Sequence, residues 1–304
     1  MLAAFDASGL PAPAVVAEQQ EPDGRFPTVP FPNPEEPGAM DLLMAHAADT
    51  GAAVALANDP DADRLGVAVR NAAGEYVHLS GNRIGVLLVD YVLRKRKARG
   101  TLGPQHFVVE TLVTTPLIAE LARSYKVRAV DNLLVGFKYI AAEMIKGGVL
   151  LGFEESGGIG FPGHIPERDG ILAGLMLLEM LATERRPLGK LLANLEKQFG
   201  PHRYGRIDTH FPLEQRTALM EFCKTNPPAK LLKSPLADVK SYDGVKFCAA
   251  DGTVRTDLIP LIRTMLHRIT ALVTGVDHVD TVAKTERFRH LPRSPQPRVD
   301  LFQG

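Results

Sequence analysis

An excess of charge of either sign is absent: 35 Lys and Arg balance 35 Asp and Glu, and the formal net charge is zero. A neutral chain has no global field to draw in nucleic acid or an acidic membrane surface, so local cations must hold any anionic ligand. Cysteine is nearly absent as well. Cys223 and Cys248 lie far apart without paired spacing, which excludes a disulfide framework and a thiolate metal site and fits a reducing cytoplasm. Long apolar runs are missing. The longest, Ile171 to Leu178, is interrupted by Gly174 and falls short of the ~20 residues that span a bilayer. Met1 to Ala17 lacks the basic start and uninterrupted apolar region of a secretory signal, and no repeat stands out at solenoid periods. The expectation is a cytoplasmic protein with neither membrane nor nucleic acid among its partners.

What is present is a soluble, globular balance of 45% hydrophobic and 23% charged residues over 304 positions, enough for two or three domains. From about residue 40 to 183, helical and strand patterns alternate. Ala39 to Thr50 predicts a helix closed by Gly51, followed by short strands at Ala53 to Ala57 and Leu65 to Val69. Phe107 to Leu112, Val127 to Val130 and Val149 to Phe153 predict further strands. Helices at Thr115 to Tyr125 and Phe137 to Lys146 alternate with them, the second stopped by Gly147 and Gly148. Ile171 to Leu181 predicts a buried helix capped by Asp169.

The fold class expected is α/β, with consecutive mixed or parallel-sheet α/β/α domains followed by a small partial α+β domain. In such sheets, ligand loops lie beyond the carboxyl ends of the strands. The expected division is a partial α/β domain over 1–76, a second α/β/α domain over 77–200 and an α+β domain over 201–283. The last would hold helices near Leu213 to Lys224 and Leu258 to Val273. A basic Pro/Arg tail at 284–304 is expected to be disordered.

Asn58-Asp59-Pro60-Asp61-Ala62-Asp63-Arg64 places three carboxylates at alternate positions in a tight loop after an apolar strand. Three like charges that close repel unless a cation neutralises them, and a hard divalent ion with oxygen ligands, such as magnesium, fits best. Arg64 adds a planar cation suited to phosphate. A calcium-binding helix-loop-helix needs Gly and Glu where this chain has Arg64 and Arg70, and that alternative fails. A haloacid-dehalogenase-type phosphatase with Asp59 as nucleophile ranks second, because Asp63 stands where it normally carries Thr. A surface turn with incidental acids is the third alternative.

Gly152-Phe153-Glu154-Glu155-Ser156-Gly157-Gly158 follows another apolar strand. A carboxylate and a hydroxyl two residues apart can both face a ligand such as a sugar with neighbouring hydroxyls, and the glycines admit close backbone approach. An ordinary turn has the same composition. Lys138 and Arg168 are candidate cations for a phosphate, and His164 lies in the same downstream stretch as Arg168. Lys138 reads equally as a solvated helix residue, and His164 as a plain loop histidine.

In order and together, these residues resemble the α-D-phosphohexomutases. Asp59, Asp61, Asp63 and Arg64 match the family's Asp-x-Asp-x-Asp-Arg metal loop, and Glu154, Ser156 and Gly157 match its Glu-x-Ser-Gly sugar loop. Phe26 to Pro30, Asn33 to Glu36, Gly81-Asn82 and Gly136 to Lys138 look most like the phosphoglucomutase and phosphopentomutase branch. The resemblance covers roughly residues 20–250. It implies Mg2+ on Asp59, Asp61 and Asp63, with Arg64 assisting at the phosphoryl group. Glu154, Ser156 and Gly157 would hold the sugar, with Lys138 and Arg168 near it as general-acid/base or phosphate contacts.

The implied ligand is glucose 1- or 6-phosphate or a related hexose or pentose phosphate, and the implied reaction is intramolecular phosphoryl transfer through a phosphoserine. The family's Thr-Ala-Ser-His-Asn-Pro serine segment and its Arg-Pro-Ser-Gly-Thr-Glu-Pro phosphate loop have no counterpart. Smaller departures are Val135, where relatives tend to have Thr, and Arg168, where they tend to have Lys. The expectation is therefore a truncated or divergent relative, inactive alone. The alternative is a non-catalytic sugar-phosphate-binding or partner-binding remnant, and surface left by a missing domain would promote self-association.

Overall fold

A computed structural model describes residues 1–210, 215–242, 244–252, 254–258 and 268–274. Contacts divide the chain into two units, Met1–Gly200 and Pro201–Gly304. Among the described residues no helix is long and apolar enough to cross a membrane.

The first unit opens with a short helix α1 (Leu2–Ala7), then proline-rich chain as far as α2 (Asp41–Thr50). Gly51, at φ 66°, closes α2 in the left-handed conformation that glycine adopts without penalty. Three strands follow: β1 (Val54–Asn58), β2 (Leu65–Arg70) and β3 (Tyr76–Leu79). They form an antiparallel sheet with Val54 opposite Val69 and Asn58 opposite Leu65. The sequence placed the acidic loop at the carboxyl end of a strand in a mostly parallel sheet, and the structure corrects this. Residues 59–64 connect paired neighbours β1 and β2, and a parallel crossover needs about a dozen residues or more, so the connection is a hairpin.

One face of this sheet packs on α2 through Met40, Ala47, Ala55 and Ala68. The other packs through Leu65, Val67 and Val69 into the main core with α3 (Gly81–Ala98). The sequence pattern assigns neither β3 nor α3. With ten buried residues among its 18, α3 is the longest helix among the described residues and is shared by both sheets.

The second sheet has the order β5-β4-β6-β7. β4 (Phe107–Thr111) runs parallel to β5 (Arg128–Leu133) and β6 (Val149–Phe153), and the short β7 (Ile159–Gly160) pairs antiparallel on β6. Val108 and Leu150 face α3 and α4 (Leu117–Ser124), whereas Phe107, Val109 and Val149 face α5 (Phe137–Lys146), giving α/β/α layers. Burial on both faces explains the apolar runs Phe107–Val109 of β4 and Val149–Phe153 of β6. α6 (Gly170–Glu184) and α7 (Leu188–Phe199) complete the unit. Asp169 caps α6 as expected, its carboxylate accepting from the Leu172 N–H at 2.8 Å.

Among its described residues, the second unit is an antiparallel sheet of order β8-β13-β12-β11-β10-β9 with one helix, α8 (Arg216–Thr225). Its strands are β8 (Tyr204–His210), β9 (Lys230–Leu231), β10 (Ser234–Lys240), β11 (Val245–Ala249), β12 (Val254–Leu258) and β13 (Arg268–Thr274). Cys223, Leu231, Val245, Phe247 and Ala249 form its core. Where it is described, the segment predicted as a helix over Leu258 to Val273 is strand instead: Leu258 ends β12, and 268–274 is β13, paired with β8 and β12. Ile269, Thr270, Val273 and Thr274 are β-branched, and such side chains favour a pleated surface over a helix. Residues 259–267, the start of the helix predicted at Leu213 and the basic tail lie outside the described residues.

Candidate functional site

The hairpin between β1 and β2 is closed by its own polar groups. Asn58 Nδ2 donates to the Arg64 carbonyl at 2.8 Å, the Arg64 N–H to Asp59 Oδ1 at 3.1 Å, and the Ala62 N–H to the Asp59 carbonyl at 3.0 Å. This tight bend brings one oxygen each of Asp59, Asp61 and Asp63 within 4.8 Å of one another. Burial pushes the Asp59 carboxyl up to about 6 against the opposing Arg64 N–H bond, with the neighbouring Asp63 adding to the rise. An all-oxygen cluster that holds one of its acids above the carboxylate range suits a hard divalent cation.

Two arginines face the cluster. Arg64 Nε lies 3.3 Å from Asp59 Oδ2 and 3.6 Å from Asp63 Oδ1. Arg168, just before α6, places Nη2 2.5 Å from Asp63 Oδ2 and Nη1 3.2 Å from Glu154 Oε2. Its guanidinium lies over the Phe137 ring at 5.6 Å. Burial alone would lower the Arg168 pKa, but the carboxylates of Glu154, Asp63 and Glu167 outweigh it and raise the value.

The Glu-Ser-Gly loop connects β6 to β7. The Glu154 N–H donates to the Gly158 carbonyl at 3.0 Å, and the Gly157 N–H to the Glu154 carbonyl at 3.2 Å. The loop is joined to the hairpin by the Leu65 N–H, which donates to the Gly157 carbonyl at 3.1 Å, and by a bridge between Arg64 and Gly158. Gly157 has φ 87°, and a Cβ there would meet the Leu65 carbonyl oxygen at 2.7 Å, so only glycine fits. Glu154 is 5% exposed, and its Oε1 accepts from the Gly136 N–H at 3.1 Å. Burial pushes its carboxyl up, while Arg168 and the Gly136 bond pull the other way.

Asp59, Asp61, Asp63, Arg64, Glu154, Gly157 and Arg168 are thus brought together, with Ser156 half-buried on the same loop. Lys138 is not in the cluster. It is exposed on the first turn of α5 with Nζ 4.9 Å from its neighbour Tyr139. His164 bonds Asp169 Oδ2 at 2.8 Å and so serves the cap of α6. The sequence missed the support: Asn58, which closes the hairpin, and Gly170, whose N–H donates to the Ala62 carbonyl at 2.9 Å. Asn at a strand end followed by Asp was the available signal for the first.

The family model Phosphoglucomutase/phosphomannomutase, alpha/beta/alpha domain II matches residues 2–74, and domain III of the same family matches 80–199. The chain belongs to the α-D-phosphohexomutase family. Among curated relatives, the Haemophilus influenzae protein named "Probable phosphomannomutase" is 40% identical over 230 residues. That match covers 74% of this chain and 45% of the relative. Human phosphopentomutase is 35% identical over 212 residues, covering 66% of this chain and 34% of the relative. The chain therefore spans under half the length of these relatives. The fold is shared with a phosphoglucomutase/phosphomannomutase family protein of Burkholderia thailandensis at TM-score 0.65 and 20% identity, covering 87% of this chain and 51% of that one. It is also shared with the open form of a Paramecium phosphoglucomutase at TM-score 0.63 and 19% identity, covering 85% and 48%.

Proposed function

We propose that this chain supplies the metal-binding and sugar-binding parts of a sugar-phosphate phosphomutase site, with 1–76 carrying the metal loop and 77–200 the sugar loop. The observation that carries the reading is Arg168, whose two terminal nitrogens join Asp63 of the acidic hairpin to Glu154 of the sugar loop. Asp59, Asp61 and Asp63 would hold magnesium, which when bound neutralises charge on a transferring phosphoryl group. Arg64 faces that group beside the carboxylates. Glu154 and Ser156 take sugar hydroxyls, and Gly157 lets the sugar approach the backbone. Arg168 holds both loops in place, and Lys138, exposed on α5, would offer a cation to the phosphate and a proton donor or acceptor to the hydroxyls. A glucose, hexose or pentose phosphate fits this donor set, and the cytoplasm is the setting that supplies it.

The reading predicts binding without turnover by this polypeptide alone, because its sequence has no serine segment of the family's type to carry the phosphoryl group. Calorimetry with magnesium and glucose 1-phosphate tests it. Asp61→Asn should abolish magnesium binding, and Glu154→Gln should weaken the sugar phosphate by about tenfold through a lost charge-assisted hydrogen bond. Turnover is assayed with glucose 1-phosphate and catalytic glucose 1,6-bisphosphate. Absence of both binding events would overturn the proposal, and phosphate release abolished by Asp59→Asn would identify a phosphatase instead.

A further inference from the structure

Helix α3 begins without a cap of its own. Ser80 at its N-cap makes no capping bond, its buried Oγ has no hydrogen-bond partner, and the first turn contains no acidic residue. The negative charge that a helix N-terminus favours comes instead from Glu35, 46 residues earlier, whose Oε1 accepts from the Gly81 N–H at 3.0 Å.

Glu35 is held firmly in its own right. Asn33 is 8% exposed, and its Oδ1 accepts from the Glu35 N–H at 3.0 Å, while its carbonyl accepts from the Glu36 N–H at 2.9 Å. Between them, Pro34 lies on the backbone of β2. A Cβ at Gly66 would meet Pro34 Cβ at 2.4 Å and Met40 Sδ at 3.0 Å. Segment 33–35 is therefore seated on the strand that leaves the acidic hairpin, one residue past Leu65.

The other end of the connection is equally tight. A Cβ at Gly81 would meet the Glu155 carbonyl oxygen at 2.2 Å and the Gly157 nitrogen at 2.5 Å. The start of α3 thus lies directly against the backbone of the sugar loop, with no side chain between them to absorb a shift. Asn82 adds a second tie, its Oδ1 accepting from the Thr115 N–H at 2.9 Å.

We infer that Glu35 is a positioning residue. By capping α3 from a turn seated on β2, beside the metal hairpin, it sets the height of the Glu154–Gly158 loop over Asp59, Asp61 and Asp63. It touches no ligand and acts through Gly81. The inference rests on the function proposed above for those loops, but its structural half is testable without any ligand.

The experiment uses the full chain with Glu35→Ala and Glu35→Gln, read by amide hydrogen exchange. Glu35→Ala should speed exchange about tenfold at residues 81–84 and also at 155–158, and leave β4 unchanged. Glu35→Gln, which keeps an acceptor oxygen, should restore most of the protection. If Glu35→Ala does not fold, Glu35→Gln decides by partial loosening of both segments. Loosening confined to 81–84, or none at 155–158, overturns the inference and leaves Glu35 a cap alone. In the calorimetric titration, Glu35→Ala should weaken glucose 1-phosphate about tenfold with magnesium affinity unchanged. Wild-type protein that binds neither magnesium nor glucose 1-phosphate overturns the proposed function, whereas the exchange data still judge Glu35.

Discussion

Gly170→Ala puts the packing behind the acidic hairpin to a quantitative test. Gly170 is the first residue of α6, and its N–H bonds the Ala62 carbonyl at 2.9 Å. A Cβ there would lie 2.2 Å from the Arg64 carbonyl oxygen and 2.5 Å from Asn58 Nδ2, the two atoms that close the hairpin. Reaching ordinary contact near 3.4 Å would move helix and hairpin apart by about 1.2 Å. Alanine gains up to about 1 kcal/mol over glycine in a helix. Against that stand about 1–3 kcal/mol for overpacking and about 1 kcal/mol for the weakened Gly170–Ala62 bond. The clash wins, with a net loss of about 2 kcal/mol, which lowers the Tm of a unit this size by about 4–8 °C. Thermal unfolding reads the stability, and a magnesium titration should show several-fold weaker binding as Asp59 and Asp63 are displaced. A variant as stable as wild type with unchanged affinity would refute the packing argument.

Arg168→Met removes the cation between Asp63 and Glu154, both largely buried, and should destabilise the chain by about 2–3 kcal/mol. Arg168→Lys should recover part of this, since an ammonium cannot serve both carboxylates with the same fork; chemical denaturation compares the two. His78 on β3 has a buried Nε2 with no hydrogen-bond partner, and burial lowers its pKa below the usual 6.5. The unfolded chain therefore takes up this proton first, and stability is lost as pH falls through 6.5 toward the lowered folded value. His78→Gln should shrink the loss of Tm between neutral and mildly acidic pH, and an unchanged difference would show that His78 does not contribute.

Strands β4 and β6 of the α/β/α sheet were legible because burial on both faces leaves apolar runs at Phe107–Val109 and Val149–Phe153. Helix α3 was not. Its segment opens with Gly81-Asn82 and ends in Arg94 to Lys97, while its buried side faces both sheets and leaves only a blurred apolar stripe. The direction of β1 and β2 was misjudged because alternation alone does not weigh a connection of six residues, 59–64. Strand β13 was read as a helix because its pairing with β8 joins residues far apart in the chain. At the site, the acidic and Glu-Ser-Gly loops could be read from local spacing. Gly170, Asn58 and Glu35 act across long separations or through backbone atoms, which no local spacing reveals.

The central claim is that the acidic hairpin and the Glu-Ser-Gly loop serve one cleft. Substituting Mn2+ for Mg2+ and recording the phosphorus resonance of glucose 1-phosphate tests it most directly, because paramagnetic broadening requires metal and phosphate in the same site. The account predicts strong broadening with the wild-type chain, lost in Asp61→Asn because the metal is gone and reduced in Glu154→Gln because the sugar phosphate binds about tenfold more weakly. Broadening that survives both changes, or bound Mn2+ and bound sugar phosphate with no broadening, would contradict it.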